Sequence, residues 1–239
     1  MFTKILLRRL DIKMEETIVI SLGGSLIVPD QIDTDFLKNF KNLILSEVKR
    51  GKKFVIITGG GKTCRRYNEA LEKITNPSKD ALDWLGIAAT RLNSELIRIS
   101  FGDLAFDKII MDPDVIPNTD KPIMLGAGWK PGNSSDLAAV HIAKSLGAKK
   151  LINLSNVDYV YNKDPKKFPD AEKIESSTWV DFRNILPKNW DPGLNAPFDP
   201  VAAKEAQELG LEVIVLNGRN IANLEKCLDG KEFMGTKIK

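Results

Sequence analysis

Cysteine and histidine are scarce in this chain of 239 residues. The two cysteines, Cys64 and Cys227, lie far apart and form no CxxC pair or Cys/His cluster, which excludes a disulfide framework and the common zinc motifs. The only histidine, His141, lies in a helical stretch between Val140 and Ile142, and we predict a packing or surface role for it. So little cysteine is typical of a protein in a reducing cytoplasm.

Long apolar runs and a strong charge imbalance are also missing. No run approaches the roughly 18 residues needed to span a bilayer, and the stretch over residues 1–10 is too short and too interrupted by arginine for a signal peptide. The net charge is only +3, with basic residues spread among acidic ones, so we expect neither a nucleic-acid nor a membrane-surface partner. We expect residues 1–16 to be a flexible or surface extension, with Met14 a possible alternative start, and residues 17–239 to form one domain.

Three consecutive glycines, residues 59–61, follow an apolar strand and precede a basic helix start. Glycine lets the backbone approach a ligand closely, and the free N–H groups of a helix N-terminus attract anions. The pattern therefore predicts a phosphate site rather than an ordinary tight turn. It is not a Walker A loop, because Ile56 occupies the position of that motif's first glycine, and no GxGxxG dinucleotide loop is present. The first helical turns add positive charge through Lys62, Arg65 and Arg66.

Two more apolar strands, over residues 17–22 and 121–126, also run into glycines. A helix over residues 34–49 connects the first strand to the next, which predicts an α/β fold with a parallel sheet and right-handed crossovers. Ser134 or Ser135 as an N-cap accounts for the helix over residues 137–146, but it leaves the glycines before it unexplained. Strands that end in glycine can together face one ligand.

A long helix over residues 79–100 carries apolar residues at intervals of three and four. This seam packs either on the sheet or on a second copy of the chain, and the pattern alone leaves both open. Asp83 near its start has a cap or dipole role by default. Later elements are strands over residues 149–156 and 212–216, helices around 178–186, from Pro200 and over 221–228, a loop over 187–200, and a final strand or tail over 235–238.

Several short motifs occur in a fixed order between Ile18 and Ile238. They are Leu22-Gly23-Gly24-Ser25, Gly59-Gly60-Gly61-Lys62 with Arg65, Gly86-Ile87 with Thr90-Arg91-Leu92-Asn93, Pro131-Gly132-Asn133-Ser134-Ser135-Asp136, Asn156-Val157-Asp158 with Tyr161, Asp164-Pro165 and Asp199-Pro200. The ordered set resembles the amino acid kinase superfamily, and within it the archaeal-type uridylate (UMP) kinases.

The resemblance implies a three-layer αβα sandwich around a mainly parallel central sheet. It implies transfer of the γ-phosphate of ATP, with Mg²⁺, to UMP, with the acceptor over the N-terminal half of the domain and ATP over the C-terminal half. It also implies a hexamer built as a trimer of dimers, which favours self-association through the long helix.

The resemblance also implies roles for individual residues. The UMP site comprises Gly60 at the phosphate, Asp83 at the ribose, and a wrapping loop of Ala127, Gly128, Trp129, Lys130, Pro131, Gly132, Asn133 and Ser134. The ATP site comprises Gly24, Ser25, Gly61 and Arg65 at the phosphates, with Ser155, Tyr161 and Asp164 on the adenosine and metal side. The catalytic candidates are Lys62, Arg65, Asp136 and Asp199, and no dedicated protein metal site is predicted.

The chain departs from the family pattern at Ser21, where many relatives have a lysine, and at Tyr159, where a glycine is usual. Lys62 is our candidate for the missing cation, with Arg65 behind it and Lys130 as either a further cation or a surface lysine. Two alternatives are another phosphotransferase of the superfamily, acting on carbamate, an amino-acid carboxylate or isopentenyl phosphate, and a non-catalytic nucleotide- or oxoanion-storage protein. The lack of histidine near the glycines counts against an isopentenyl phosphate kinase, and the retained pair of aspartates counts against storage.

Overall fold

The computed structural model describes residues 17–165, 167–187 and 196–239. The strands are β1 (Thr17–Leu22), β2 (Lys53–Thr58), β3 (Ala105–Ile110), β4 (Ile123–Gly126), β5 (Lys150–Ser155), β6 (Val160–Tyr161), β7 (Lys173–Ile174), β8 (Ser176–Ser177), β9 (Glu212–Asn217) and β10 (Thr236–Ile238). The helices are α1 (Gly24–Ile27), α2 (Thr34–Lys49), α3 (Gly61–Ile74), α4 (Lys79–Phe101), α5 (Ser135–Ser145), α6 (Trp179–Ile185), α7 (Pro200–Glu208) and α8 (Ile221–Leu228).

Eight strands form one sheet in the order β3-β4-β2-β1-β5-β9-β10-β8, and β6 pairs with β7 in a separate hairpin. Neighbouring strands from β3 to β9 are parallel, while β10 runs antiparallel to β9. The central strands are apolar on both faces, as expected of a parallel sheet that helices cover on both sides.

The two faces of the sheet pack against different helices. On β1, Ile18, Ile20 and Leu22 belong to a core with residues of α1, α2, α4 and α8. Val19, between them, belongs to a second core with residues of α5, α6 and α7. The predicted three-layer αβα sandwich is therefore confirmed.

Most predicted elements are found within a few residues of their expected bounds. The predicted cap of α5 is also present, because Ser134 accepts a hydrogen bond from Leu137 N, and Asp199 caps α7 by accepting from Ala202 N. The sequence did not reveal β3 or the short strands β6, β7 and β8. The predicted extension and most of the predicted loop, residues 188–195, lie outside the described residues. Among the helices of the described ranges, none is both long and apolar enough to cross a membrane.

The apolar seam of α4 divides along the helix. Ala89, Ile97 and Phe101 are buried in the protomer, but Leu92 is 64% exposed and Ile99 is 62% exposed. The protomer core thus accounts for part of the helical pattern and leaves an exposed apolar face on the second half of α4.

The parallel strands end together at one edge of the sheet. Leu22 pairs with Thr58, Ile57 pairs with Gly126, and Leu22 also pairs with Leu154. The glycine-rich turns that follow β1, β2 and β4 are therefore neighbours, and this edge carries the site described next.

Candidate active site

The turns after β1 and β2 contact each other through their backbones. A Cβ atom on Gly24 would lie 2.1 Å from Gly61 N, and one on Gly61 would lie 2.3 Å from Gly24 O. Gly61 also has a φ of +62°, which a residue with a side chain rarely adopts. Glycine is therefore required on both sides of this contact, which joins two segments predicted to hold phosphate.

Buried polar side chains of α4 hold the turn after β2. Asn93 Nδ2 donates hydrogen bonds to the carbonyl oxygens of Gly59 at 2.8 Å and Gly60 at 3.3 Å. Both carbonyl groups therefore point to α4. The helix that follows them, α3, lines a cavity with its first turn. Asn93 thus fixes the orientation of the peptide groups that lead into α3.

The same helix holds the turn after β4. Ser94 Oγ donates to Gly126 O at 2.7 Å, and Thr90 Oγ1 accepts from Gly128 N at 2.8 Å while donating to Ile87 O. Thr90 and Ser94 are one helical turn apart and both buried. The polar stripe of α4 therefore sets the relative positions of two glycine-rich turns.

A cavity of about 270 Å³ lies between α3, α4 and the start of α5. It brings together residues predicted for acceptor binding, for ATP binding and for catalysis. These are Gly60, Gly61, Arg65, Asp83, Gly128, Asn133, Ser134, Asp136 and Asp199.

Asp83 connects α4 to the segment over residues 127–134, which we call loop 127–134. Its Oδ2 accepts a 2.7 Å hydrogen bond from Gly132 N. Partial burial raises the pKa of the Asp83 carboxyl, the Gly132 N–H acts in the opposite direction, and nearby Asp80 raises it further. Asp83 does not act as a simple helix cap, because the N–H group from which it accepts a hydrogen bond lies on a distant loop.

Asp136 lies in the first turn of α5, with both carboxylate oxygens engaged. Oδ1 accepts from Ser21 Oγ at 2.8 Å, and Oδ2 accepts from Asp199 N at 3.2 Å. Desolvation raises the pKa of Asp136 to about 6; the Ser21 hydrogen bond opposes this shift, and the negative charge of Asp199 adds to it. Asp136 lines the cavity and is half-buried as a whole residue, whereas its carboxylate group is surrounded by protein.

Asp199 caps α7 and is buried beside the cavity. Its Oδ1 accepts from Ala202 N at 2.7 Å, and the Ser134 hydroxyl also donates to its carboxylate. Burial raises its pKa despite these donors. Two carboxylates with raised pKa values at one cavity are typical of a functional site.

Other predicted residues do not line the cavity. Gly24 lies behind Gly61, Ala127 is buried with its N–H bonded to Ile110 O, and the Lys62 N–H donates to Val28 O at 2.8 Å. The amide of Lys62 is therefore not available to a ligand. Cavity-lining residues also do not include Ser25, Trp129, Lys130, Pro131, Gly132, Ser155, Tyr161 or Asp164.

The cavity is also lined by residues for which the sequence predicted no role. Cys64 and Asn68 line it from α3, and Asn68 Oδ1 is buried without a hydrogen-bond partner. The signal was present, because Gly61, Cys64 and Asn68 are three and four residues apart and so share one helical face. For His141 the sequence predicted a packing or surface role, but it did not reveal the two carboxylates that the ring contacts, Asp114 and Glu205.

The sequence matches the model of the amino acid kinase family over residues 16–217. The chain belongs to the amino acid kinase family. Among related sequences, the uridylate kinase of Thermoplasma acidophilum is 35% identical over 230 residues, covering 94% of this chain and 97% of that protein. The uridylate kinase of Methanospirillum hungatei is 32% identical over 226 residues, covering 93% of this chain and 94% of that protein.

Solved structures of amino acid kinase type have the same architecture. The uridylate kinase of Archaeoglobus fulgidus superposes with a TM-score of 0.78 at 28% identity, covering 94% of this chain and all of that chain. The UMP kinase of Bacillus anthracis superposes with a TM-score of 0.75, covering 94% of this chain and 96% of that chain, but at 20% identity this likeness concerns the fold alone.

Proposed function

We propose that this protein is a UMP kinase, which transfers the γ-phosphate of ATP to UMP and gives UDP and ADP. The reaction would supply pyrimidine nucleotide biosynthesis. The observation that carries the proposal is that one cavity is lined by Gly60, Gly61 and Arg65 together with the carboxylates Asp83, Asp136 and Asp199. Relatives at 35% and 32% identity that carry the name uridylate kinase, aligned over more than nine tenths of this chain, support the choice of acceptor.

The acceptor phosphate fits the start of α3. Helix N-termini favour anions, and Arg65 adds a cation one turn into the helix. Arg65 also suits a phosphate because its guanidinium can donate two parallel hydrogen bonds. We assign binding of the UMP phosphate to Gly60 and Arg65. Gly61 and Gly24 would lie where this site meets the phosphates of ATP.

The sugar and base of UMP would lie between α4 and loop 127–134. Asp83 is a hydrogen-bond acceptor at the cavity wall, which suits ribose hydroxyls. Asn133 and Ser134 line the same cavity, and the loop that precedes them is tied to α4 at Gly128 and Gly132. This arrangement supports the assignment of residues 127–134 to acceptor binding.

ATP would bind beside the turn after β1, with Ser25 at its phosphates and Ser155, Tyr161 and Asp164 on its adenosine side. Within the described ranges no cluster of three or more His, Cys, Asp or Glu side chains could hold a metal ion. Mg²⁺ usually takes only one or two carboxylates together with substrate phosphates, so Asp136 and Asp199 fit as the residues that would hold it. When bound, Mg²⁺ would neutralise charge on the phosphates.

The chain's own residues would act by position and charge. Phosphoryl transfer spreads negative charge over the equatorial oxygens, and aimed donors stabilise that charge. We assign this role to Arg65 and Lys62, with Lys130 as a further cation. The acceptor is a phosphate monoester that is already ionised near neutral pH, so no covalent nucleophile is required.

A coupled ADP-release assay with Mg·ATP tests the proposal. The acceptors are UMP, CMP, isopentenyl phosphate, carbamate and aspartate at equal concentration. We expect UMP to give the highest rate and the product to be UDP. ADP release that is highest with carbamate or aspartate, or absent with every acceptor, would contradict a UMP kinase.

We further propose that the protein assembles as a trimer of dimers in the cytoplasm. Exposed apolar side chains on one half of α4 support self-association, because an uncovered stripe of this kind is unfavourable in water. They are Leu92, Leu96 and Ile99. Two cysteines without a disulfide support a reducing compartment.

A further inference from the structure

His141 lies between two carboxylates from distant parts of the chain. Its Nδ1 is 3.1 Å from Asp114 Oδ1, in the segment after β3, and its Nε2 is 2.9 Å from Glu205 Oε2, on α7. A neutral imidazole carries one N–H group, whereas the imidazolium carries two. Only the protonated ring therefore presents an N–H group toward each of the two carboxylates.

The same ring contacts loop 127–134. The centroid of the His141 ring is 5.6 Å from that of Trp129, at an interplanar angle of 54°. Lys130 Nζ lies 3.7 Å from the centroid of the Trp129 ring. The charged groups that face His141 are thus Asp114 and Glu205 directly, and Lys130 on the indole. Because indole attracts cations, the ring contact is stronger with the imidazolium than with neutral imidazole.

The contact between Trp129 and His141 is important because of where Trp129 lies in the loop. The loop is tied to α4 on either side of Trp129, by the hydrogen bonds of Gly128 N to Thr90 Oγ1 and of Gly132 N to Asp83 Oδ2. Between these ties, Trp129 rests on His141. The His141 side chain is only 16% exposed and is held by two carboxylates, so it offers a fixed support.

We propose that His141 is a positioning residue, whose protonated ring holds Trp129 and thereby loop 127–134 in the conformation that binds the acceptor. This inference rests on the proposed function, since it concerns the same acceptor site. Loss of the proton removes one N–H donor, leaves Asp114 or Glu205 without its partner and weakens the contact with Trp129. Affinity for the acceptor is therefore higher with the protonated ring than with the neutral ring.

Tryptophan fluorescence tests the support without any substrate, because a protonated histidine near an indole quenches its emission. Four tryptophans are present, so the signal of Trp129 is the difference between wild type and Trp129→Phe. We expect this difference signal to rise in one step between about pH 5 and 8. The step should be absent in His141→Gln. A step that persists in His141→Gln would overturn the proposal.

Steady-state kinetics test the link to the acceptor. In His141→Gln we expect the KM for UMP at pH 6 to rise about two- to fivefold, consistent with the loss of one cation–π contact. The difference from wild type should disappear at pH 8, and kcat should change little at either pH. A His141→Gln effect of equal size at both pH values would contradict the protonation-dependent role. If UMP is not a substrate, the fluorescence titration still decides whether His141 supports the loop.

Discussion

The hydroxyl of Ser21, on β1, donates a 2.8 Å hydrogen bond to Oδ1 of Asp136, at the start of α5. The residues are 115 positions apart in the chain, so the bond ties the sheet edge to the helix that carries Asp136. A neutral hydroxyl orients the carboxylate but does not neutralise it. The negative charge of Asp136 is therefore held beside that of Asp199 in a desolvated place, which has a measurable effect on stability.

Replacement of Asp136 by asparagine should stabilise the ligand-free protein at high pH. The pKa of Asp136 rises from 3.8 to about 6 on folding, so the folded state binds the proton more strongly. The protonated Asp136 carboxyl therefore contributes stability below pH 4, and this contribution is lost as the pH rises to 6. At pH 8 the ionised carboxylate lowers the free energy of unfolding by on the order of 3 kcal/mol. In urea unfolding with EDTA, Asp136→Asn should exceed wild type at pH 8 and approach it at pH 4.

The control for that experiment is Asp120→Asn, since Asp120 is exposed. It should leave the free energy of unfolding within about 0.5 kcal/mol of wild type at both pH values. A lower stability of Asp136→Asn than of wild type at pH 8 would show that the hydrogen bonds of the carboxylate outweigh its desolvation.

Arg65 should contribute to the transition state through the phosphate. We expect Arg65→Ala to lower kcat/KM by about 30-fold or more, equivalent to about 2 kcal/mol, as is typical for removal of one aimed donor. The matched control is Arg66→Ala, because Arg66 is the next residue but forms an exposed ion pair with Asp30 at 2.7 Å. UMP-dependent ADP release that is unchanged in Arg65→Ala, or reduced equally in both variants, would contradict the assigned phosphate site.

Asp83 should affect one substrate and not the other. Asp83→Ala removes a carboxylate from the cavity and frees Gly132 N, so the affinity for UMP should fall while ATP binding is unchanged. Isothermal titration calorimetry with each nucleotide measures this difference. Asp80→Ala serves as the control, since Asp80 is exposed in the first turn of the same helix. Equal weakening of both nucleotides in Asp83→Ala would argue against a ribose role.

The exposed face of α4 should mediate self-association. Leu92→Asp would place a charge in an interface built on that face, and we expect a smaller particle by light scattering with an unchanged circular dichroism spectrum. Val180→Asp is the control, because Val180 is 60% exposed on α6 and lies outside this face. Equal molar masses for wild type and Leu92→Asp would contradict an interface through α4.

Much of the fold followed from local patterns in the sequence. Buried strands such as β1 and β2 are continuous apolar runs that end in glycine, so their position and direction could both be predicted. β3 could not, because it is an edge strand with Asp107 and Lys108 exposed in its middle. The strands of the β6–β7 hairpin have two residues each, which is too short for any periodicity.

The predicted site divides in a similar way. Gly60 and Arg65 could be predicted for this site because they belong to the glycine-rich motif after β2, and Asp83 because of the family resemblance. The support of the site could not, because it depends on contacts between distant residues. Thr90 and Ser94 have helical spacing and no local sign that they hold the turn after β4, and the partners of His141 lie 27 and 64 residues away.

The close contact of Gly24 with Gly61 limits how this enzyme can change over evolutionary time. Any side chain added on either residue would separate the two turns, so this part of the proposed nucleotide site has almost no freedom to accept substitutions. A duplicated gene could acquire a new acceptor through changes in α3, the first half of α4 or loop 127–134. Divergence of substrate choice would then proceed around a segment of backbone that itself stays the same.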